Sequence, residues 1–366
     1  MAKIAIFLQN LVAGGAERMM LNLGERFAAR GHLVELILVR AEGEYLPIVP
    51  PSLRITDLKL QRTGASLPAL AAYLRRERPD ALLSGLVHVN VMAVLAGKLA
   101  RSGARVVISE RNTISRDIHD SQSLAIRMAH WSVPWVYPRA DAIIAVSHGV
   151  ARDLAAYSGM PEQRIKVVNN PVVTPKLALR ATEPAAHPWF EDGGPPVVLA
   201  VGRLAPQKDY PTLLNAFALL RRSRDLRLLI LGEGHERPAL EKMIERLGLA
   251  DAVSMPGYSD NPYAAMARAA VLALTSRWEG SPNVLVEAMA CGTPVISTDC
   301  PSGPAEILEN GKYGPLVPMG NAEAVAGGIA AMLDARPPAA TLQHRAADYN
   351  SDASADEYLK ILLNGS

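Results

Sequence analysis

The chain is poor in cysteine and in long apolar runs. Its 366 residues include only two cysteines, Cys291 and Cys300, both in apolar surroundings. Such a pair provides neither a disulfide framework nor a cysteine-based metal site, and a reducing cytoplasm is the expected location. No apolar run reaches the roughly 18 residues of a membrane-spanning helix. The apolar start Ile4–Leu8 is broken at Gln9, so we expect a first β-strand rather than a signal peptide, and only peripheral membrane contact.

An excess of charge of one sign is absent too, with 38 basic against 36 acidic residues. This balance argues against a nucleic-acid partner bound through overall charge. The chain also lacks a D-x-D triplet, a His pair or Cys cluster at metal-ligand spacing, a G-x-S-x-G elbow and a G-x-x-x-x-G-K-[ST] loop. Because these motifs mark metal sites, hydrolases and P-loop proteins, we expect a bound anion to be held by side chains and helix ends, without a metal.

Short apolar runs alternate with helical patterns, which predicts two α/β domains built on parallel sheets. A proline-rich linker at 171–196 separates an N-terminal domain at 1–170 from a C-terminal domain at 197–340, and a polar tail at 341–366 ends in a helix from about Ala355 to Leu363. Ligands of such sheets bind beyond the carboxyl ends of the strands. The strand candidates are Ile4–Leu8, Val34–Val39, Ala81–Ser84, Val106–Ser109, Ala142–Val146, Ile165–Val168, Val197–Val201, Leu226–Leu231, Val253–Met255, Val271–Leu274 and Pro294–Thr298.

The stretch from Glu279 to Glu287 places two carboxylates eight positions apart, one before a helix and one inside it. Ser281 is a natural N-cap and Pro282 suits the first helical position, so a helix is predicted from there to Cys291. Its N-terminus offers N–H groups and the positive dipole end to a phosphate, while a nearby carboxylate suits sugar hydroxyls. Sugar beside phosphate indicates a nucleotide-sugar.

Two permanent cations, Arg203 and Lys208, follow the strand candidate Val197–Val201. The planar fork of Arg and the mobile charge of Lys suit a diphosphate leaving group whose charge grows as a glycosidic bond breaks. Glycine turns at 14–15, 232–234 and 257–258 would let a ligand approach the backbone, although most such glycines serve tight connections. Glu110, Arg111 and Asn112 follow the strand candidate Val106–Ser109, and an internal ion pair or a helix cap is their alternative use.

In this order, Gly14-Gly15-Ala16-Glu17, Gly202-Arg203 with Lys208, Gly232-Glu233-Gly234 and Glu279 to Glu287 resemble the retaining GT-B glycosyltransferases of family 4, or glycosyl transferase group 1. The resemblance covers essentially the whole chain. It implies two Rossmann-like, doubly wound domains facing across a cleft, with the C-terminal helix crossing back to the first domain. It further implies retaining transfer of a hexose or N-acetylhexosamine from a nucleotide-sugar, UDP by default, to a glycan or lipid-linked acceptor in cell-surface polysaccharide or glycoconjugate synthesis.

The same resemblance implies the roles of the residues. Arg203 and Lys208 would hold the donor diphosphate, with Glu279 on the transferred sugar and Glu287 on the ribose. The nucleotide-sugar is a substrate, so no cofactor or metal is implied. The other donor-binding positions would be Gly15 near the phosphates, Gly257 and Tyr258 at the base, and Ser281, Pro282, Asn283 and Val284 at the helix start.

The acceptor side departs from the family pattern. Many relatives carry a histidine where this chain has Ser109 to Asn112. Glu110, Arg111 or Asn112 is therefore expected to take over that edge, and the choice between Glu110 and Arg111 stays open. The departing diphosphate itself is expected to take the acceptor proton.

Residues 54–105 hold nine Arg or Lys against three acids, a local charge of +6. This surface would suit anionic headgroups or a polyprenyl diphosphate, with Trp131, Trp135 and Tyr137 at the interface. The alternative is a solvated basic face beside core aromatic residues. The expected location is therefore the cytoplasm, with peripheral contact at the inner face of the plasma membrane.

Two other functions fit a pair of Rossmann-like domains. A non-catalytic nucleotide-sugar binding protein would hold the same ligand without reaction. A dinucleotide-dependent oxidoreductase would need a glycine fingerprint, G-x-G-x-x-G, which does not follow the first strand. The motifs do not identify the sugar, base or acceptor, because base recognition through backbone groups leaves little side-chain trace.

Overall fold

A computed structural model describes residues 1–12, 14–120, 123–191 and 193–363. The chain forms two compact units, the first made of residues 1–172 and 349–366 and the second of residues 173–348. The strands are β1 (Lys3–Leu8), β2 (Leu33–Leu38), β3 (Leu53–Asp57), β4 (Ala81–Gly85), β5 (Arg105–Glu110), β6 (Ala142–Ala145), β7 (Ile165–Val167), β8 (Val197–Val201), β9 (Arg227–Leu231), β10 (Val253–Gly257), β11 (Val271–Leu274), β12 (Val295–Thr298) and β13 (Leu316–Val317).

Helices cover both sheets. They are α1 (Gly15–Ala29), α2 (Ser66–Glu77), α3 (Val87–Ala100), α4 (Ile114–Asp120), α5 (Leu124–Val136), α6 (His148–Ser158), α7 (Pro175–Ala181), α8 (Tyr210–Arg221), α9 (Arg237–Arg246), α10 (Pro262–Arg268), α11 (Asn283–Ala290), α12 (Pro304–Ile307), α13 (Ala322–Asp334), α14 (Ala339–Ala346) and α15 (Ser351–Leu363).

Both sheets are parallel and doubly wound. The seven strands of the first follow the order β3-β2-β1-β4-β5-β6-β7, and the six of the second follow β10-β9-β8-β11-β12-β13. In each, the first strand lies beside the fourth, so the strand order reverses there, as in Rossmann-type sheets. The prediction of two Rossmann-like domains is confirmed.

The first sheet has apolar layers on both of its faces, which explains why its central strands are continuous apolar runs. Along β1, Ile4, Ile6 and Leu8 pack into one core layer, whereas Ala5 and Phe7 pack into the other. Successive side chains of a strand point to opposite faces, so one short apolar segment serves both layers.

The C-terminal helix belongs to the first unit, as the family resemblance implied. Helix α15 packs against α1 and β5, and it begins at Ser351 rather than at the predicted Ala355. Its Tyr358 is fully buried, and the hydroxyl lies 3.0 Å from Oγ of Ser109 in β5. Where the chain returns from the second unit, the amide of Val172 donates to the carbonyl of Tyr349 at 3.1 Å.

The proline-rich stretch at 171–196 is not a simple linker. From residue 173 it forms part of the second unit. Helix α7 begins there at a proline, because Pro175 occupies the first turn and the side chain of Thr174 accepts from the amide of Leu177. Prolines at helix starts therefore explain part of a composition that suggested a linker.

Candidate functional site

The switch point of the second sheet lies between β8 and β11. The loop after β8 contains Arg203 and Lys208, and the loop after β11 contains Glu279. Ligands of doubly wound sheets bind where the strand order reverses, outside the carboxyl ends. The sequence-predicted cations and carboxylate thus lie where this topology binds ligands.

Lys208 and Glu279 form an ion pair at this switch point. The Lys208 Nζ donates to Oε1 of Glu279 at 2.5 Å, and the Ser276 hydroxyl donates to the same oxygen at 2.6 Å. The two charged side chains are only 16% and 9% exposed. Because the pair is largely withdrawn from water, its charges act more strongly on a ligand than surface charges would. Ser276 had no signal in the sequence.

Hydrogen bonds hold the two loops in a fixed register. The Gln207 side chain donates to the carbonyl of Trp278 at 2.8 Å, and the amide of Arg277 donates back to the carbonyl of Gln207 at 2.8 Å. The Thr275 hydroxyl donates to the carbonyl of Lys208 at 2.9 Å. The backbone around the ion pair is therefore held on both sides, which preorganises its charges.

Asp209 adds further contacts between the loops after β8 and β11. Its carboxylate is 2% exposed, accepts from the Thr212 hydroxyl at 2.9 Å and pairs with Nε of Arg277 at 3.2 Å. Its backbone is left-handed, with a φ of 48°. Asp and Asn tolerate that conformation better than other residues with a Cβ, so an aspartate directly after Lys208 is compatible with the sharp turn that begins α8.

We predict that Asp209→Ala lowers the unfolding midpoint of the second unit by about 5 °C, because it adds backbone strain and removes a buried carboxylate from its partners. Asp209→Asn is the matched control. An amide retains a hydrogen bond with Thr212 and tolerates the left-handed backbone, so its midpoint should fall by less than half as much. Circular dichroism melts check both, and equal shifts would contradict the prediction.

The helix after Glu279 begins one residue later than predicted. Pro282, not Ser281, occupies the N-cap position, and no side chain caps the helix, which runs from Asn283 to Ala290. Gly303 packs against this start, since a Cβ there would lie 2.4 Å from Cδ of Pro282. The neighbouring loop also fixes the catalytic candidate, because the amide of Glu279 donates to the carbonyl of Pro301 at 3.1 Å. Packing by this loop takes the place of the expected serine cap.

Glu287 lies within this helix and is buried, with 6% of its surface exposed. Its Oε1 accepts from the Tyr263 hydroxyl at 3.3 Å. Burial, together with the carboxylate of Glu287, raises the pKa of the Cys291 thiol to about 12. Burial and then Glu279 raise that of Cys300 to about 12 as well. Both cysteines are therefore neutral, free thiols at physiological pH.

The glycine turns of the second unit differ in use. Gly232 and Gly234 pack against the loop after β8, since a Cβ on either would lie within 2.2 Å of a carbonyl oxygen of that loop. Gly257 ends β10 with a φ of 102°, and Tyr258 beside it is 42% exposed. Arg203 is exposed and forms no ion pair with any described residue. The first two glycines thus shape the loop of Arg203, whereas Gly257 is buried, and a Cβ there would lie 2.8 Å from Oε1 of Glu233.

The candidates of the first unit include Glu110, which is almost completely buried. Its Oε2 accepts from the Tyr137 hydroxyl at 2.8 Å, and Oε1 accepts from the amides of Arg111 at 3.0 Å and of Asn112 at 3.4 Å. Burial first, and then Glu110, raises the pKa of Tyr137 well above its ordinary value. Tyr137 was expected at a membrane interface, and that is wrong, because this fully buried side chain binds Glu110.

Arg111 is also buried, with 9% of its surface exposed. Its Nη1 donates to Oδ1 of Asn170 at 2.9 Å, and its Nε has no hydrogen-bond partner among the described residues. The guanidinium passes Gly85, where a Cβ would lie 3.2 Å from Nε. Gly15, the remaining candidate of this unit, is the first residue of α1, after an extended Gly14 without a capping side chain.

Comparison with known proteins covers nearly the whole chain. The family model described as Glycosyltransferase Family 4 matches residues 13–175, and that described as Glycosyl transferases group 1 matches residues 183–350. None of the described helices is both long and apolar enough to cross a membrane.

Two relatives and one solved structure illustrate the similarity. A Campylobacter jejuni N-acetylgalactosamine-N,N'-diacetylbacillosaminyl-diphospho-undecaprenol 4-alpha-N-acetylgalactosaminyltransferase is 29% identical over 345 residues, 91% of each chain. An Escherichia coli lipopolysaccharide 1,6-galactosyltransferase is 30% identical over 268 residues, 71% of this chain and 67% of the relative. The crystal structure of Anabaena Alr3699/HepE in complex with UDP and glucose has a TM-score of 0.73 at 23% identity, over 98% of this chain and 95% of that one.

Proposed function

Because the chain belongs to the GT-B glycosyltransferases of family 4, the glycosyl transferases group 1, we propose that it moves a hexose or N-acetylhexosamine from a UDP-sugar to an acceptor with retained anomeric configuration. The observation that carries this proposal is the buried ion pair of Lys208 and Glu279 at the switch point of the second sheet. A structural relative is described in complex with UDP and glucose, which supports the choice of donor.

In the proposed reaction the donor diphosphate binds Lys208, Arg203 and the N-terminus of α11. Lys208 has three N–H donors and gives one to Glu279, so others remain for phosphate oxygens. As the bond between the anomeric carbon and the diphosphate breaks, negative charge grows on the leaving group, and these donors stabilise it. The acceptor oxygen bonds to the same face of the anomeric carbon, and its proton passes to the departing diphosphate. Glu279 binds hydroxyls of the transferred sugar, and Glu287 those of the ribose.

The remaining donor contacts in this proposal are those that the family resemblance implies. Gly257 and Tyr258 meet the base, Gly15 approaches the phosphates, and residues 281–284 surround the diphosphate. Glu110, Arg111 and Asn112 form the acceptor side. The buried Glu110 is held by Tyr137 and two backbone amides, so it stays in one orientation and is suited to position a hydroxyl.

The acceptor is a glycan or a lipid-linked saccharide of cell-surface polysaccharide synthesis. Support comes from the Campylobacter jejuni relative, whose name specifies a diphospho-undecaprenol acceptor, and from the Escherichia coli relative named for lipopolysaccharide. A lipid-linked acceptor would bring the protein to the inner face of the plasma membrane from the cytoplasm.

A panel of nucleotide-sugars tests the proposal. UDP-glucose, UDP-galactose, their N-acetylhexosamine analogues, GDP- and ADP-sugars and NADH are each added, and melting temperature and slow donor hydrolysis are measured. A ligand that binds only the folded state raises the melting temperature. We expect stabilisation and hydrolysis with a UDP-sugar. Stabilisation by NADH alone would indicate an oxidoreductase, and UDP-sugar binding without hydrolysis or transfer would indicate a binding protein. NMR of the product anomer tests retention.

Metal removal provides a separate prediction. Because Lys208 and Arg203 supply the positive charge at the diphosphate in this proposal, EDTA should change the rate of transfer by less than about twofold. The rate is measured after chelation and again after Mg²⁺ or Mn²⁺ is restored. A loss of more than about tenfold that either ion reverses would show that side chains alone do not neutralise the leaving group.

A further inference from the structure

Helix α5 of the first unit presents a long apolar face to solvent. Leu124, Met128, Trp131 and Trp135 are 72%, 62%, 70% and 53% exposed. At about 100° per residue these four side chains lie within about 60° of arc on the helix. The opposite side holds the buried His130, Val133 and Val136. One side of α5 therefore packs in the core, and the other forms an exposed apolar stripe, defined by these four residues.

The stripe differs from the single exposed apolar residues that are common on protein surfaces, because its four side chains are contiguous and two of them are tryptophans. The rings of Trp131 and Trp135 lie with their centroids 5.0 Å apart. Arg127 is the one charged residue among positions 124–136, and no acid occurs there. Contiguous exposed apolar patches mark sites of interaction with proteins or membranes.

A basic groove lies beyond the C-terminal end of α5. It has a volume of about 180 Å³, and its lining includes three cations, Arg105, Arg164 and Lys166, against one acid, Asp141. The Asp141 carboxylate accepts from the amide of Val106 at 2.8 Å. The groove is joined to the helix, because Arg164 donates to the carbonyl of Pro138 in the turn that follows α5, at 3.3 Å.

More cations lie at the same edge of the first sheet. The helices between parallel strands run opposite to them, so their C-terminal ends lie near the strand starts. Helix α3, which packs against α5, carries Lys98 and Leu99 in its last turn, and Arg101 follows the helix as its C-cap residue. Leu99 is 48% exposed. Arg139, in the turn after α5, is exposed as well. Apolar and cationic groups thus follow one another along one side of this unit.

We propose that the stripe and the basic groove together form a docking surface for a bilayer that contains anionic lipid. Tryptophan rings favour the boundary between headgroups and acyl chains, and Lys or Arg beside them bind headgroup phosphates. A second copy of the chain fits less well, because a twofold contact would bring equivalent cations toward one another. The inference builds on the lipid-linked acceptor of the proposed function and identifies the surface that meets the lipid.

Co-sedimentation with vesicles tests this surface without any donor sugar, so it can fail separately from the transfer reaction. Vesicles of phosphatidylcholine alone are compared with vesicles that also contain phosphatidylglycerol. The double variant Trp131→Gln, Trp135→Gln should lose about tenfold in affinity for anionic vesicles. Arg164→Gln, Lys166→Gln should lose about as much, and about 0.5 M NaCl should remove the preference for anionic lipid.

Matched controls come from the second unit. Leu179 is 68% exposed, so Leu179→Gln removes an exposed apolar side chain outside the stripe. Arg222→Gln, Lys242→Gln removes two exposed cations elsewhere. Both controls should bind vesicles with the affinity of the parent, and all variants should have the melting temperature of the parent. The proposal would be overturned if the parent chain did not bind anionic vesicles, or if the stripe and groove variants bound them as tightly as the parent. It would also be overturned if the parent were a dimer that the double tryptophan variant converts to monomers, because a second copy would then cover the stripe.

Tryptophan emission gives an independent measurement. The chain has four tryptophans, and in a Trp189→Phe, Trp278→Phe background only those of the stripe report. Their emission should shift to shorter wavelength with anionic vesicles, and lipids brominated along the acyl chain should quench it. Emission that neither shifts nor is quenched would overturn insertion of the stripe.

Discussion

Replacing Glu279 with glutamine should lower kcat for sugar transfer by about 10³-fold while changing the Kd of UDP by less than about threefold. Glutamine keeps the shape and an oxygen that can accept from Ser276, but it removes the negative charge paired with Lys208. In the proposed reaction Glu279 binds the transferred sugar, which UDP lacks, so nucleotide affinity should survive. Single-turnover transfer with the donor found by the panel, and calorimetric titration with UDP, measure the two quantities.

Ser276→Ala provides the control for this prediction. It removes the hydroxyl that donates to Glu279 but leaves the charge, so kcat should fall by no more than about tenfold. If Glu279→Gln retained more than a tenth of the parental kcat, the carboxylate would not be the catalytic group at the switch point.

Replacing Glu287 with alanine should raise the Kd of UDP about 30-fold, which corresponds to about 2 kcal/mol. The carboxylate is 6% exposed, so its bonds to ribose hydroxyls would form in a site with little competing water. Calorimetric titration of UDP and of UMP measures the loss. Both ligands should lose similar affinity, because each carries the ribose.

Tyr263→Phe separates ligand binding from local packing. It removes the hydroxyl that donates to Glu287 and keeps the ring, so UDP affinity should change by less than about threefold. If Glu279→Gln and Glu287→Ala lost UDP affinity equally, the assignment of one carboxylate to the sugar and the other to the ribose would be refuted.

The central strands could be predicted closely because they are buried on both faces. The runs Val197–Val201 and Val271–Leu274 have the predicted bounds. The two strands absent from the prediction, β3 and β13, each lie at the edge of a sheet. An edge strand has one neighbour and needs fewer apolar residues, so its signal is weak, as in Leu53–Asp57, where four of five residues are exposed or half-buried.

The chemistry of the site could be predicted in part. Lys208 and Glu279 were expected at the same sheet edge, and the structure brings them into contact. Ser276 and Asp209, which hold the ion pair and its loops in place, were not predicted. Serine and aspartate are common residue types, and their roles depend on contacts between loops that are distant in sequence. Tyr137 shows the same limit, because it was expected at an interface and is fully buried.

The return of α15 to the first unit has a consequence for biosynthesis. Residues 173–348 form one continuous unit, whereas the first unit needs residues 349–366 as well as 1–172. The α15 side of its core, with Tyr358 and Leu362 almost fully buried, cannot be covered until those residues leave the ribosome. The second unit can therefore fold from one continuous stretch of chain, while the first, although most of it is synthesised earlier, is completed only once α15 has followed the whole of the second unit out of the ribosome.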